Sequence, residues 1–227
     1  MLRAVCLCLI ALIFAIPLFA EERLLLSADF ENADLTGWRF GGDVCVAGPF
    51  CAGQPSGRYW LAFSTNTWKG DPITLCGGSS VEGMESIVRS PYIPLPFRFN
   101  QIRIDFDVKF LTNENTTSDL GTDNFIARLL TVAGPVMIMS IDNSGASPGS
   151  RNLAITGDAA FHESACNPNW KYETGLLHVS YYRTFHGAVS SRMASGPLAL
   201  EFVLGNHYDS NFDSAAVIDN VQLRIYR

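Results

Sequence analysis

Carboxylates are the side chains in this 227-residue chain most suited by type and spacing to do chemistry. The first is Asp219. Around it Val217, Val221, Leu223 and Ile225 share one parity, and Gln222, Arg224 and Tyr226 the other. That alternation is a half-buried β-strand, and Asp219 has the parity of the apolar set. A bare carboxylate on a core face is too costly to keep. Three explanations are open: a bound cation, a cage of hydrogen bonds, or a strand bulge that turns the side chain outward. The second feature is Asp105 with Asp107, about 7 Å apart at strand rise. A glycosidase can use two acids at such a distance. Arg103 and Lys109 have the same parity, however, so the four read as a solvated row of charges on the outward face. Gly145-Ala-Ser-Pro-Gly149 fits the bare Gly-x-Ser-x-Gly spacing but falls in a turn with no helical period after it, His-Glu-x-x-His does not occur, and His162, His178, His186 and His207 stand apart from one another. Enzymatic activity therefore has no motif behind it.

Flat apolar rings and amide or carboxylate side chains are what a saccharide needs. Trp68, Trp170, Tyr172 and Tyr182 fall in or near loops, or on an outward parity, and are the candidates for ligand binding. Trp38 and Trp60 read as core. Glu114 and Asp123 flank a polar loop; they could form a second cation site, and a solvated loop is the reading preferred.

Met1-Leu-Arg, an apolar run from Ala4 to Phe19 and the small residue Ala20 make residues 1–20 a secretory leader, with cleavage expected after Ala20. The run is short for a bilayer and is broken by Pro17. No later segment could span a membrane, so a soluble, exported protein is expected, secreted, periplasmic or at the cell surface. Residues 21–227 then form one domain, a length common for all-β folds. The net charge is −6 and no Lys/Arg cluster occurs, which disfavours nucleic acid as a partner. Four cysteines lie beyond the leader: Cys45, Cys51, Cys76 and Cys166. An even number in an exported chain favours disulfides over zinc, for which the spacing is wrong. Three pairings are open. Cys45 with Cys51 would close a short loop, leaving Cys76 to tie to Cys166.

The elements that must position these residues are strands. Leu24, Leu26, Ala28 and Phe30 alternate to open the domain. Residues 101–111 carry the cleanest alternation, with Ile102, Ile104, Phe106, Val108 and Phe110 directed inward. Further strands are expected at 59–64, 86–92, 124–132, 136–141, 176–185 and 198–204, while 151–175 reads as irregular. No segment holds a helical period. Eight to ten strands with turns between them predict an all-β jelly-roll sandwich of two antiparallel sheets.

Three stretches resemble a known family. Leu25-Leu-Ser-Ala-Asp-Phe-Glu-Asn-Ala-Asp-Leu-Thr-Gly-Trp38 resembles the opening of secreted bacterial jelly-roll modules of the "choice-of-anchor" type. Asp107–Glu114 with Asp123–Leu129, and Asp213–Val221, resemble their middle and their ending. These modules are similar in build to calcium-bearing carbohydrate-binding jelly rolls, galactose-binding-like or concanavalin-like, and to MAM-type domains. The resemblance implies a structural calcium ion between the first and last strands. Glu31 and Asp219 match its acidic positions, with Asp29 and Asp213 nearby. Calcium takes six to eight oxygens, so a few carboxylates and backbone carbonyls suffice. The functional expectation is a non-catalytic carbohydrate-binding or adhesion module, taking a glycan or cell-surface polysaccharide. A glycan-active hydrolase or lyase and an envelope protein-interaction module are the alternatives.

Overall fold

A computed structural model describes residues 21–33, 35–47, 59–65, 85–112, 123–142, 145–148, 154–155, 161–164, 177–180, 183–205 and 214–227. Every regular element among them is a strand. In chain order these are β1 (Glu22–Ala28), β2 (Arg39–Gly41), β3 (Asp43–Ala47), β4 (Trp60–Ser64), β5 (Glu85–Arg89), β6 (Gln101–Thr112), β7 (Asn124–Thr131) and β8 (Gly134–Asp142). There follow β9 (Gly145–Pro148), β10 (Ala154–Ile155), β11 (Phe161–Ser164), β12 (Leu177–Ser180), β13 (Arg183–Ser190), β14 (Ala199–Gly205) and β15 (Ser214–Tyr226). Regular structure thus appears at β10 and β11, inside the span expected to be irregular. The single strand expected over 176–185 is two, β12 and β13.

Two antiparallel sheets result. One runs β3-β4-β15-β6-β13-β10, with β1 also on β15 and β12 on β6; the other runs β2-β5-β14-β7-β8-β9. Pairing is nested. β4 pairs with β15, β5 with β14, β6 with β13 and β7 with β8. A long hairpin folded over on itself gives this order, and it defines a jelly roll. The sandwich expected from the strand pattern is the one observed.

Between the sheets lies one apolar core. Ile102, Ile104, Phe106, Val108 and Phe110 of β6 all enter it, as their parity requires. Phe106 stacks on Phe185 of β13 at 4.8 Å and meets Phe202 of β14 edge-on at 5.2 Å, so rings from both sheets interlock. One correction concerns this core. Leu24 is exposed, because a register shift between Leu24 and Leu26 inserts Leu25 as an extra residue and reverses the parity of β1. Trp60, read as core, is fully buried, on the face of β4 that it shares with Ala62 and Ser64.

The chain passes from one sheet to the other at Gly42, whose φ of 86° is open to glycine. A Cβ there would come 2.8 Å from the Ser86 Cα. At the same place the Ser86 hydroxyl donates to the Ser64 carbonyl (2.5 Å) and accepts from the Asp43 amide (3.0 Å). The Ser64 hydroxyl donates to Asp43, so the buried carboxylate is satisfied.

Candidate functional site

The outer face of the first sheet carries the candidate site. β6 lies between β13 and β15, and its outward residues include Arg103, Asp105 and Asp107. On one side His186 of β13 lies opposite Asp105. On the other, Gln222 of β15 lies opposite Asp105 and Arg224 opposite Arg103. Directly opposed side chains on one face are about 5 Å apart at Cβ, which forces these groups into contact. Asp105 gathers them. Its Oδ1 takes Arg103 Nε at 3.0 Å and His186 Nδ1 at 2.5 Å, and its Oδ2 takes Arg224 Nη1 at 3.0 Å. A carboxylate held by two arginines only accepts, so the imidazole carries its proton on Nδ1 and turns Nε2 away from the acid. Arg224 also reaches Glu22 through Nε at 2.9 Å and the Gln222 side-chain carbonyl through Nη2. The hydrogen bond to Asp105, and then the charge of that acid, raise the pKa of Arg103, which also meets the Tyr226 phenol.

With Asp107 and Asn220 these side chains line an open cleft of about 280 Å³. The solvated charge row expected at 103–109 is therefore corrected. Asp105 and Asp107 are only 7% exposed and Lys109 is 6% exposed, because cross-strand neighbours on both sides of β6 cover them. Burial lowers the pKa of Lys109.

At one end of the cleft the fate of Asp219 is decided by a bulge. Asp219 pairs with Asp107 but Gln222 with Asp105, so β15 has one residue more than β6 between these points. Asn220 takes the left-handed conformation, φ 51°, that an extra residue needs. Parity reverses there. Ala216 and Ile218 enter the core before the bulge, and Val221, Leu223 and Ile225 after it. Asp219 thus leaves the core face and joins Asp107 on the outer one, where it is still only 1% exposed. Of the three explanations left open by the sequence, the bulge accounts for its direction.

The surroundings of Asp219 are acidic. Its pKa is raised from 3.8 to about 7, first by burial and then by the charges of Asp107, Glu31 and Asp29; a hydrogen bond from the Asn220 amide (2.8 Å) opposes the shift. Asn220 Nδ2 donates to Asp107 at 2.7 Å. Asp29 follows the end of β1, where its Oδ1 accepts from the Glu31 amide at 3.2 Å. Of the residues expected at a metal site, Glu31 and Asp29 are near enough for their charges to act on Asp219. Asp107 joins them, which sequence reading missed. Among the described residues no three His, Cys, Asp or Glu side chains converge closely enough to hold an ion by themselves.

Other expected site residues fall elsewhere. Trp68, Trp170, Tyr172, Tyr182 and Asp213 lie outside the described residues, as do Cys51, Cys76 and Cys166. Cys45 is disulfide-bonded. Asp123, expected in solvent, is fully buried and accepts from the Thr65 hydroxyl at 3.4 Å. Trp38 is half-buried and packs edge-on against Phe30 at 5.6 Å, as its core assignment requires.

The second sheet has its own buried acid, also missed. Glu201 of β14 is fully buried between Arg89 of β5 and Arg128 of β7, its direct cross-strand partners. Arg89 Nε donates at 2.7 Å and Arg128 Nε at 2.5 Å. This Arg–Glu–Arg row clamps three adjacent strands and leaves the acid without an oxygen to spare.

Fold and site together define an antiparallel jelly-roll sandwich with a polar cleft on one outer face. No family model matches the chain, and no curated protein does. Among solved structures, the K3 cleaved adhesin domain of Lys-gingipain from Porphyromonas gingivalis is similar at a TM-score of 0.45 and 12% identity, covering 90% of this chain and 99% of that one. A xylan-binding carbohydrate-binding module from Paenibacillus barcinonensis is similar at 0.39 and 15%, covering 90% and 96%. A carbohydrate-binding module that recognises mannan is similar at 0.40 and 15%, covering 91% and 99%. The jelly-roll order rests on the strand pairing above, not on these likenesses. Among the described residues no helix is long and apolar enough to cross a membrane.

Proposed function

We propose that this chain is an exported, non-catalytic carbohydrate-binding or adhesion module of the "choice-of-anchor" type, and that it takes a saccharide in the cleft on β13, β6 and β15. The observation that carries this reading is the cleft itself. Its 280 Å³ are lined by both donors and acceptors, His186, Arg103, Gln222, Asn220 and Asp107, as a ligand covered in hydroxyls requires. Trp68, Trp170, Tyr172 and Tyr182, outside the described residues, remain the candidates for apolar rings on which a sugar would stack.

Catalysis fits the cleft less well. A glycosidase needs one acid free to give a proton and another free to meet the sugar. Both oxygens of Asp105 are taken by cations, and Asp219 is closed off beneath the bulge.

A structural calcium ion belongs to the same proposal. Asp219, Asp107, Glu31 and Asp29 offer oxygen alone, which suits a hard cation in kind. Backbone carbonyls and Asp213 would have to complete the set. Such an ion would join the end of β1 to the bulge of β15. Residues 1–20 are taken as a leader removed on export, residues 21–227 as the single domain, and Cys45–Cys51 with Cys76–Cys166 as its disulfides.

A glycan array on the purified protein, with and without calcium, tests the reading. Binding to one polysaccharide class is expected, and Gln222→Ala should weaken it by about 1–2 kcal/mol through loss of a hydrogen-bonding group. Failure to bind any glycan on the array, in either condition, would overturn it.

A further inference from the structure

The charges of the cleft are sorted along its length, and this says what kind of saccharide fits. At one end Arg103, Arg224 and His186 all converge on one carboxylate, Asp105. Arg224 is engaged on all three nitrogens, by Asp105, Glu22 and Gln222. Arg103 and His186 each touch the acid through one nitrogen only. They are also the more open groups: the Arg103 side chain is 42% exposed and that of His186 39%, against 25% for Arg224. Arg103 has five N–H donors, and its contacts with Asp105 and Tyr226 leave at least three for a ligand. At the other end Asp107 lies beside Asn220 and Asp219. A guanidinium fork meets a carboxylate or sulfate in two parallel hydrogen bonds, a geometry that neutral hydroxyls cannot return.

We propose that the cleft selects a saccharide bearing an anionic group, a uronate carboxylate or a sulfate ester, which docks on Arg103 beside His186 while hydroxyls of the same chain reach Gln222, Asn220 and Asp107. This rests on the saccharide-binding reading above and goes beyond it by naming the ligand class. Because Arg103 is already fixed by Asp105 through Nε, the fork is held in place before the ligand arrives, and little side-chain freedom is lost on binding.

Calorimetric titration of the purified protein with matched probes tests it. Short oligogalacturonides are compared with the same oligomers as methyl esters, and dextran sulfate with dextran. The charged member of at least one pair should bind about tenfold tighter or more than its neutral partner, and the pair that shows this identifies carboxylate or sulfate as the group. Arg103→Gln should abolish the preference, so that the charged and neutral members of the pair bind alike, and Arg103→Lys should keep part of it. Added salt should weaken only the charged probe, a measurement on the wild type that does not depend on the variants folding. Equal binding within both pairs would overturn the ligand class and leave the saccharide reading standing. A preference untouched by Arg103→Gln would overturn its assignment to this cleft. No binding to these probes or to any neutral glycan would remove both.

Discussion

Asp219→Asn tests the most unusual electrostatic feature of the molecule. Burial and three neighbouring carboxylates raise the Asp219 pKa from 3.8 to about 7. The folded state therefore holds a proton there that the unfolded chain gives up near pH 4. Unfolding releases that proton, so stability falls as pH rises between these values, with a slope near 1.4 kcal/mol per pH unit. The favourable contribution is complete below about pH 4 and is lost as pH climbs through 7. Over about three pH units the loss is at most roughly 4 kcal/mol. For a domain of this size that is on the order of 10 °C in Tm. An asparagine has no charge to bury. In calcium-free buffer Asp219→Asn should match the wild type near pH 5 within about 1–2 kcal/mol and exceed it clearly at pH 8. Calcium should reverse the order at pH 8, because a hard cation stabilises the ionised wild type and finds only an amide in the variant. At a hundredfold excess over Kd the wild type would gain about 2.7 kcal/mol. Urea unfolding at pH 5 and pH 8, each with and without calcium, gives all the numbers required. If the wild type and the variant lose the same stability between pH 5 and pH 8 without calcium, the buried acidic cluster is not as described. A wild type indifferent to calcium at pH 8 would remove the ion from the proposal.

Other expectations follow from single residues. Asn220→Val should cost about 1–2 kcal/mol, since a β-branched residue resists the left-handed conformation; denaturant midpoints compared with Asn220→Gly would separate that strain from the lost Asp107 hydrogen bond. Glu201→Ala should cost about 2–4 kcal/mol by leaving Arg89 and Arg128 facing each other, more than either arginine replaced by alanine, as measured by urea unfolding. Trp68→Ala or Trp170→Ala should weaken glycan binding by ~1–3 kcal/mol with Tm nearly unchanged; a collapse in Tm with intact binding would make them packing residues. Mass spectrometry of exported material should find a chain beginning near Glu21 with no alkylatable thiol, and four free thiols would dismiss the disulfides.

Strand positions were legible because burial imposes a period of two. All five inward residues of β6 were assigned from that period alone, and Trp38 was placed against the core correctly. The period fails where one residue is added. Leu25 in β1 and Asn220 in β15 each reverse the face of everything on one side of them, and neither is marked by glycine. This is why Leu24 was placed inside and Asp219 on the core face. The cleft was out of reach for a different reason. His186 and Asp105 are 81 residues apart, and Arg224 and Asp105 are 119 apart. Only the register of three strands brings them together. A partial signal existed, since β6 and β15 both carry charged residues on their outward parity, and two such strands placed side by side must stack those charges. Glu201 gave less warning still, sitting in the apolar run Leu198–Leu204, where a single acid needs partners from strands far away in sequence.

The nested pairing also sets the order in which the molecule can form. β15 follows in sequence every strand it pairs with, and β1, β4 and β6 all bond to it. Until its residues emerge, β1 lacks the one strand it pairs with among the described residues, and β6 lacks one edge. The first sheet therefore cannot close on a growing chain, and its contacts are long-range enough to make folding slow, on the order of milliseconds to seconds. If the chain is exported as proposed, that delay would be useful. It would keep the polypeptide in a translocatable form, and the cleft, the bulge and the acidic cluster would be gained together in a late step.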